Sequence, residues 1–235
     1  MANERAAIVT GASRGIGRAI ALALAREEMT VGLLARSRPA LERVAREIEA
    51  RGGRAIVLPA DVTRWEDVQR AFARFWEDVQ RLDVLINNAG IGVFQSVEDM
   101  PIEAFDAVIR TNLYGVFYCC KLAIPLMRRT GGGDIIHIGS LAGRNPFAGG
   151  AAYCASKFAL RGFSESLMLE VRYDHIRVSI IAPGSVNTEF AGNTPAHAWK
   201  LQPEDVARMV VELIRSRREA LASYIEMRPL QPPRK

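Results

Sequence analysis

Cysteine and lysine are both scarce in this chain, and long apolar runs are absent. Three cysteines occur in 235 residues, and Cys119, Cys120 and Cys154 have neither metal-site spacing nor the spacing of a redox C-x-x-C pair. No apolar run reaches the roughly 18 residues of a membrane-spanning helix. The three histidines are far apart in sequence, which disfavours a metal site. We therefore expect reduced core cysteines, no metal, no membrane span and, with no signal at the N-terminus, a cytoplasmic location.

The charge pattern disfavours nucleic-acid binding. The formal net charge is +5 from 31 basic and 26 acidic residues, and only four of the basic residues are lysines. The arginines are scattered along every predicted helix instead of clustering in a stripe with aromatic residues. Solvated helix faces explain most of them, and the positive excess suits an anionic small ligand at least as well as a nucleic acid.

Short apolar runs rich in β-branched residues alternate with longer segments of helical period along the whole chain. The runs are too uniformly apolar for a sheet with one wet face, which is typical of parallel strands covered on both sides. They predict seven strands: Ala6–Thr10, Thr30–Ala35, Arg54–Pro59, Asp83–Asn87, Asp134–Gly139, Arg177–Ala182 and Ser223–Met227. The predicted helices are Ile16–Glu28, Pro39–Ala50, Trp65–Val79, Ile102–Met127 in two parts, Ala151–Tyr173 and Pro203–Ser216.

This alternation predicts an α/β fold, a doubly wound parallel seven-stranded sheet of the Rossmann type with helices on both faces. No linker, repeat or low-complexity tract interrupts it, so residues 1–235 are interpreted as a single domain. The longest stretch without clear periodicity is 185–202, which follows a strand end and contains Gly192 and Pro195. Open α/β sheets bind ligands at such ends, so we expect 185–202 to act as a substrate lid.

The first predicted strand continues directly into a glycine-rich loop and then a helix. The loop reads Thr10-Gly11-Ala12-Ser13-Arg14-Gly15-Ile16-Gly17. Glycines allow the backbone to turn tightly and approach a pyrophosphate, which the helix N-terminus stabilises. A glycine loop alone is a weak signal, because it can be only a structural turn. Its place between the first strand and the first helix favours a nucleotide site.

The second predicted strand indicates which nucleotide binds. Proteins that take NAD usually end this strand with an acid that holds the ribose 2′-hydroxyl. Here the sequence continues Ala35-Arg36-Ser37-Arg38 and contains no acid. Arg36, helped by Arg14, could make charge-assisted bonds of about 1.5–3 kcal/mol each to a 2′-phosphate. The end of the second strand therefore predicts NADP(H) as the cofactor. Arg38 is assigned to the solvated start of the next helix.

Tyr153 and Lys157 stand four residues apart on a predicted helix and therefore share one face. A free tyrosine has a pKa near 10, and a nearby ammonium lowers it towards the neutral range where proton transfer is efficient. A surface contact between the two side chains is the plainer interpretation. Ser140, at the carboxyl end of a predicted strand, favours a catalytic one, because a serine there could hold a substrate oxygen while Tyr153 transfers the proton.

Taken together, these motifs resemble the short-chain dehydrogenase/reductase family in its single-domain branch. The similarity covers Ala6 to about Thr188 and continues more loosely to the C-terminus. The matching elements are the loop at 10–17, Asp61-Val62, Asn87-Asn88-Ala89-Gly90, Asn112, Ser140, Tyr153/Lys157, Pro183-Gly184 and Thr188.

The resemblance implies an enzyme that interconverts a carbonyl and an alcohol by reversible hydride transfer. Tyr153 would be the general acid, Lys157 would bind the nicotinamide ribose, Ser140 would orient the carbonyl, and Asn112 would hold a helix irregularity and a water that relays protons. The remaining residues would bind the cofactor along its length: Gly11, Ser13, Arg14, Gly15, Ile16, Gly17, Arg36, Ser37, Asp61, Val62, Asn88, Ala89, Gly90, Pro183, Gly184, Val186 and Thr188.

The substrate stays open at this level. The chain is similar to 3-oxoacyl-carrier-protein reductases and to 3-hydroxy-acid or small-aldehyde reductases, and an NADP-binding redox sensor without turnover is the alternative from another class. We expect the substrate pocket to involve parts of 185–202 and a small set of loop residues. Arg144 could bind a carboxylate or be solvated, and Phe190 and Trp199 could line the pocket or pack as a lid. The other expected pocket residues are Phe94, Leu141 and Phe147.

The resemblance also implies self-association as a homodimer or homotetramer. The tail Ile225-Glu226-Met227-Arg228-Pro229 is closer to the hydroxy-acid type and lacks the glycine-rich ending that many tetrameric relatives use to pack subunits. That departure counts against a tetramer. No nucleic-acid or membrane partner is expected, and the expected partner of the site is a small-molecule carbonyl or alcohol.

Overall fold

The computed structural model describes residues 5–192 and 197–232. Seven strands form one parallel sheet in the order β3-β2-β1-β4-β5-β6-β7. The strands are β1 Ala6–Thr10, β2 Thr30–Ala35, β3 Arg54–Pro59, β4 Val84–Asn87, β5 Gly133–Ile138, β6 Ile176–Pro183 and β7 Tyr224–Met227. The predicted doubly wound, Rossmann-type sheet is confirmed.

Helices connect successive strands and cover both faces of the sheet. They are α1 Gly15–Arg26, α2 Arg38–Glu49, α3 Trp65–Val79, α4 Ile102–Ile109, α5 Gly115–Arg129, α6 Ala151–Val171 and α7 Pro203–Arg215. The predicted helices end within two residues of these bounds. The segment predicted as a helix in two parts is divided by a π-helical turn, Arg110–Tyr114.

Burial explains why these segments form strands and amphipathic helices. All eight residues of β6 and all five of β1 are buried, as parallel strands between two helical layers must be. Helix α2 buries Leu41, Val44, Ala45 and Ile48 at helical spacing, so its apolar stripe faces the sheet and its arginines face outward.

The core consists of two layers, one on each face of the sheet. Ile20 of α1 and Val210 of α7 belong to one cluster, while Phe72 of α3 and Leu160 of α6 belong to the other. Because each layer joins helices that are distant in sequence, the sheet is fixed from both sides. The strand ends that carry the predicted site are therefore held by a rigid frame.

Strands β4, β5, β6 and β7 differ from their predicted bounds by one residue at one or both ends, and the difference in β4 has a clear reason. Asp83 was expected to start the fourth strand but precedes β4. Its carboxylate accepts a hydrogen bond from the backbone N–H of Ala6 at 2.8 Å and binds Arg81 at 2.7 Å. The side chain thus holds the start of β1 next to β4.

The strand order reverses between β1 and β4, which leads the connections after these strands to opposite sides of the sheet. A crevice at the carboxyl ends of the strands results, and ligands of open α/β sheets bind there. No helix within the described ranges is long and apolar enough to span a bilayer.

Candidate active site

The predicted site residues converge on the carboxyl edge of the sheet. Those expected to bind the cofactor lie in the connections after β1, β2, β3, β4 and β6, in the first turn of α1 and at the last residue of β6, and Ser140 lies in the connection after β5. Tyr153 and Lys157 lie on α6, and Asn112 lies in the π-helical turn before α5. Residues spread from position 11 to position 188 are thus gathered along one edge.

The glycine loop has the backbone geometry of an anion site. Gly11 and Gly15 have φ values of +66° and +53°, a conformation that side chains disfavour. A Cβ on Gly17 would lie 2.2 Å from the carbonyl oxygen of Gly11, so only glycine allows α1 to pack this closely. Among the described residues, no side chain caps the N-terminus of α1 at Arg14, so its first N–H groups are available to an anion. The predicted pyrophosphate site fits these features.

The end of β4 is tied to the glycine loop through an amide and a hydroxyl. Asn88 Nδ2 donates to the carbonyl oxygens of Thr10 at 3.0 Å and Gly11 at 3.3 Å. The Oγ1 of Thr10 accepts from the backbone N–H groups of Asn88 at 2.9 Å and Ala89 at 3.0 Å. These four bonds fix the distance between the two segments that flank the crevice.

The connection after β3 is ordered by its own aspartate. Oδ1 of Asp61 accepts from the backbone N–H of Thr63 at 2.9 Å and from its hydroxyl at 2.8 Å. Val62 is buried, and its side chain would lie 2.9 Å from a Cβ on Gly115. This turn and α5 therefore pack closely beside the region predicted to hold adenine.

Arg36 is exposed at the position predicted to hold a 2′-phosphate. It is exposed directly after β2 and makes no hydrogen bond or ion pair with any residue that the structure describes. Arg14 instead binds Glu189 at 2.8 Å in a pair whose partners are both largely exposed. Such a pair is worth only about 0–1 kcal/mol. The hydroxyl of Ser37 accepts from the backbone N–H of Ala40 at 3.4 Å and so caps α2.

The connection after β6 lies over the glycine loop. The backbone N–H of Gly184 donates to the carbonyl oxygen of Met227 at 2.8 Å, which anchors the start of this loop on β7. The methyl group of Thr188 would be 3.4 Å from a Cβ on Gly15, and Val186 pairs with Leu201 in an isolated parallel bridge. The bridge closes the base of the predicted lid. Residues 193–196 of that segment, with Pro195, lie outside the described ranges.

Lys157 is buried beneath Tyr153. Its Nζ donates to the carbonyl oxygen of Ile138 at 2.9 Å and lies 5.7 Å from the centroid of the tyrosine ring. Burial lowers the pKa of Lys157 from 10.5 to about 8, because removing an ammonium from water disfavours its charged form. The two side chains share one face of α6, as their spacing predicted.

Tyr153 differs from its prediction in the direction of its pKa. Burial raises the pKa of the phenol above 10, and a hydrogen bond with Ser140 lowers it in part. The sequence had suggested lowering by Lys157. The difference arises because desolvation of the phenolate is the largest effect in the protein itself. The Ser140 hydroxyl also accepts from the backbone N–H of Ala142 at 3.1 Å, which fixes its position.

Asn112 forms the predicted helix irregularity. Its side chain receives the backbone N–H of Ile91 at 2.9 Å and donates to the carbonyl oxygen of Ile91 at 2.9 Å. It also donates to the hydroxyl of Ser156 at 3.0 Å. The π-helical turn therefore places one amide between the β4 connection and α6, close to the catalytic candidates.

Sequence reasoning missed Ser156 and Glu226. Ser156 is buried and donates to the carbonyl oxygen of Tyr153 at 2.7 Å, and its position three residues after Tyr153 on a helix was an available signal. Glu226 binds Arg144 at 3.2 Å. That pair joins residues 82 positions apart, and no local pattern predicts it.

The residues expected to line the substrate pocket divide into two groups. Phe94 and Phe190 lie against the ring of Tyr153. Trp199 instead neighbours His197 and Lys200. Among the residues that the structure describes, no group of three or more histidines, cysteines or acids could hold a metal ion.

Residues 5–199 match the family described as short chain dehydrogenase. The chain belongs to this family. Among curated short-chain dehydrogenases, it is 34% identical over 231 residues to the sepiapterin reductase of Chlorobaculum tepidum, covering 94% of this chain and 95% of that one. It is 40% identical over 210 residues to the 3-oxoacyl-[acyl-carrier-protein] reductase of Synechocystis sp., covering 86% and 85%.

Solved short-chain dehydrogenases share the whole fold. An alcohol dehydrogenase from Thermococcus sibiricus, complexed with 5-hydroxy-NADP, superposes with a TM-score of 0.92 at 31% identity, covering 99% of this chain and 100% of that one. A single-residue variant of the actinorhodin polyketide ketoreductase, with NADPH, gives a TM-score of 0.89 at 28% identity, covering 97% of each. The prediction of an oxidoreductase of this family is confirmed, and the cofactor of these relatives is the predicted one, NADP(H).

Proposed function

We propose that this short-chain dehydrogenase reduces a ketone or aldehyde to an alcohol with NADPH, with Tyr153 as the general acid. The observation that carries the proposal is the placement of a phenol, a serine hydroxyl that bonds it and a buried lysine together at the carboxyl ends of the strands. The cofactor would bind along the glycine loop, with Arg36 at its 2′-phosphate and the 183–188 connection at its nicotinamide. When bound, it supplies the hydride for the carbonyl carbon.

The chain's own groups account for the proton. The raised pKa of Tyr153 keeps its proton on the phenol near neutral pH, so the group is ready to act as an acid. Ser140 holds the carbonyl oxygen beside that phenol. As the C=O bond becomes C–O, Tyr153 gives its proton to the oxygen, and the ammonium of Lys157 stabilises the phenolate that is left.

Lys157 and Asn112 position this acid. Lys157 is fixed by the carbonyl of Ile138, and Asn112 is fixed by three hydrogen bonds that connect it to Ile91 and Ser156. Preorganised groups of this kind need not rearrange during the reaction. We assign a relay of protons towards Lys157 to the region around Asn112, as the family resemblance implies.

The candidate substrates come from the relatives' names and from the resemblance. They are a 3-oxoacyl thioester, a 3-hydroxy acid, and a small aldehyde or ketone. We also propose that 185–202 is the substrate lid, because its base is closed by the bridge between Val186 and Leu201. Self-association as a homodimer or homotetramer is supported by exposed large apolar side chains of α4 and α5, such as Phe105 and Phe117. A cytoplasmic location stays a prediction.

Replacement of Tyr153 by Phe tests the proposed reaction. The variant keeps the ring and loses only the acid, so turnover of NADPH with carbonyl substrates should fall by at least about 10³-fold, within the range expected for a general acid. NADPH binding, measured by fluorescence titration, should change less than about threefold. The Tyr173→Phe variant is the control and should keep full activity, because it removes an exposed hydroxyl just beyond the C-terminal end of α6.

Two results would contradict the proposal. Activity retained by the Tyr153→Phe variant would remove the assigned acid. A wild-type protein that binds NADPH tightly but oxidises it with none of a panel of ketoesters, aldehydes, 3-oxo acids and diketones would favour the redox-sensor alternative.

A further inference from the structure

Three phenylalanines from separate segments form a connected group around Tyr153, two in direct contact with its ring and the third through Phe94. The ring centroid of Phe94 lies 5.6 Å from that of Tyr153, with the planes at 90°, and the ring of Phe190 lies 5.6 Å from it at 53°. Phe147 in turn lies 5.5 Å from Phe94 at 66°. The phenol therefore has aromatic neighbours from the β4 connection and the lid, and Phe147 of the β5 connection extends this group through Phe94. We call Phe94, Phe147 and Phe190 the aromatic cluster.

Two glycines make room for the aromatic cluster. A Cβ on Gly92 would lie 2.8 Å from the ring of Phe190 and 3.1 Å from that of Phe94. A Cβ on Gly150 would lie 2.6 Å from the ring of Phe147. The rings occupy space that a side chain at position 92 or 150 would fill. Any larger residue at either position would therefore displace them.

The cluster leaves aromatic surface open beside the reacting group. Phe94 is 48% and Phe147 is 47% exposed, and a grouped exposed apolar surface in a crevice is typical of a binding site. Aromatic rings prefer edge-to-face or offset contacts with other rings. A flat ring on the substrate would extend the edge-to-face arrangement that Phe94 already makes with Phe147 and Tyr153.

Charge in the same segments disfavours an anionic substrate. The segments 88–100, 140–150 and 185–192 contain four charged residues, Glu98, Asp99, Arg144 and Glu189. The single cation, Arg144, binds Glu226 at 3.2 Å, and Glu226 also binds Arg228 at 2.8 Å. One carboxylate shared by two arginines does not neutralise both of them. The three acids of these segments nevertheless outnumber the one cation, so their formal net charge is −2, which disfavours a carboxylate or a phosphate group. A substrate carboxylate at Arg144 would have to compete with the contact that Glu226 already makes.

We infer that the preferred substrate is an uncharged ketone or aldehyde with an aromatic ring close to the carbonyl. The ring would pack against Phe94 and Phe190 while the carbonyl oxygen meets Ser140 and Tyr153. This inference rests on the proposed function and selects within it, against phosphate-bearing thioesters and hydroxy acids. The roles of Phe94 and Phe190 are in specificity, since neither exchanges a proton or an electron.

Matched ketones test the inference. Phenylacetone and cyclohexylacetone have the same carbon skeleton, and in neither is the ring conjugated with the carbonyl. Wild-type kcat/KM with NADPH should favour phenylacetone at least fivefold. Each ring contact is worth about two- to tenfold, so Phe94→Leu and Phe190→Leu should each lower the ratio of the two kcat/KM values by about that factor. A third ketone, phenylacetone with a para-carboxylate, should be reduced less efficiently than phenylacetone.

Controls separate this inference from the proposed reaction. Tyr173→Leu changes an aromatic residue that is 87% exposed and should leave the ratio unchanged, while Phe94→Trp should keep the aromatic preference. If wild type reduces both ketones but the ratio is near one, or the leucine variants do not move it, the substrate class is wrong and the reductase assignment stands. A preference for the carboxylate also overturns the substrate class. If NADPH binds and none of these ketones is reduced while a member of the panel named above is, only the substrate class is wrong; if no member of that panel is reduced either, the proposed function fails and this inference fails with it.

Discussion

At the scale of single residues, we propose that the choice of cofactor depends on one arginine. Arg36 extends from the carboxyl end of β2, where an acid would bind the 2′-hydroxyl of NAD and repel a phosphate. It is exposed and has no partner within the described parts of the chain. A guanidinium without an internal partner loses no protein contact when it binds phosphate, which favours NADP(H).

Replacing Arg36 with Asp should reverse the cofactor preference. Loss of one charge-assisted contact, about 1.5–3 kcal/mol, should lower kcat/KM for NADPH by roughly 10- to 100-fold. The new carboxylate should at the same time raise the efficiency with NADH. Steady-state kinetics with both cofactors measures the change. Arg38→Asp, at the start of α2, is the control, because Arg38 is also exposed and pairs only weakly with Glu42 at 3.9 Å.

The outcome that would contradict this assignment is an unchanged preference in Arg36→Asp together with a lost preference in an Arg14→Ala variant. Arg14 is also predicted to reach the phosphate, but Glu189 already binds it. A shift confined to Arg14 would place recognition of the phosphate in the glycine loop.

At the scale of elements, α6 and the π-helical turn are joined by the Ser156 hydroxyl. It receives Asn112 Nδ2 at 3.0 Å and donates to the carbonyl oxygen of Tyr153 at 2.7 Å. Ser164, another buried serine of α6, donates only to the carbonyl of Leu160. Both serines donate to a backbone carbonyl of α6, but of the two it is Ser156 that also binds a side chain from another element, Asn112. We infer that Ser156 positions Asn112 relative to Tyr153.

Ser156→Ala should reduce kcat, whereas Ser164→Ala should not. One net hydrogen bond contributes about 0.5–1.5 kcal/mol, so both variants should lose a similar amount of stability in thermal unfolding. Only Ser156→Ala should lower kcat, by about tenfold, with KM for NADPH within twofold of wild type. Equal kcat values for the two variants would make Ser156 a merely structural residue.

The elements also show how far sequence reasoning extends. Apolar runs of strand length predicted all seven strands, because strands buried on both faces have few polar positions. The spacing of Tyr153 and Lys157 predicted a shared face because helix geometry is local. The partner of Arg144 was missed, since Glu226 lies 82 positions away. The raised pKa of Tyr153 was missed too, because desolvation depends on packing that a sequence does not display.

At the scale of the whole molecule, the candidate active site lies at the end of a sheet whose inner strand β5 contains a neutral histidine. His137 of β5 is fully buried, and its Nδ1 lies 3.2 Å from Asn87 Nδ2. Burial first, and the nearby charge of Lys157 second, lower the pKa of His137 from 6.5 to about 3. The folded protein therefore keeps this ring uncharged across the range in which the unfolded chain would protonate it.

The free energy of unfolding should consequently depend on pH through His137. At pH values above 6.5, the pKa of His137 in the unfolded chain, the ring is neutral in both the folded and the unfolded state, and its contribution to stability is fully present. As the pH falls from there towards about 3, only the unfolded state gains the proton, so the folded state loses stability. Between pH 7 and pH 5 the loss should be about 2 kcal/mol.

His137→Gln keeps an acceptor for Asn87 and cannot titrate. Urea unfolding at pH 7 and pH 5 should show a smaller acid loss in this variant than in wild type, by about that amount, whereas the exposed His197→Gln control should behave as wild type. Equal acid losses in wild type and His137→Gln would show that the buried ring does not control the acid sensitivity of the fold.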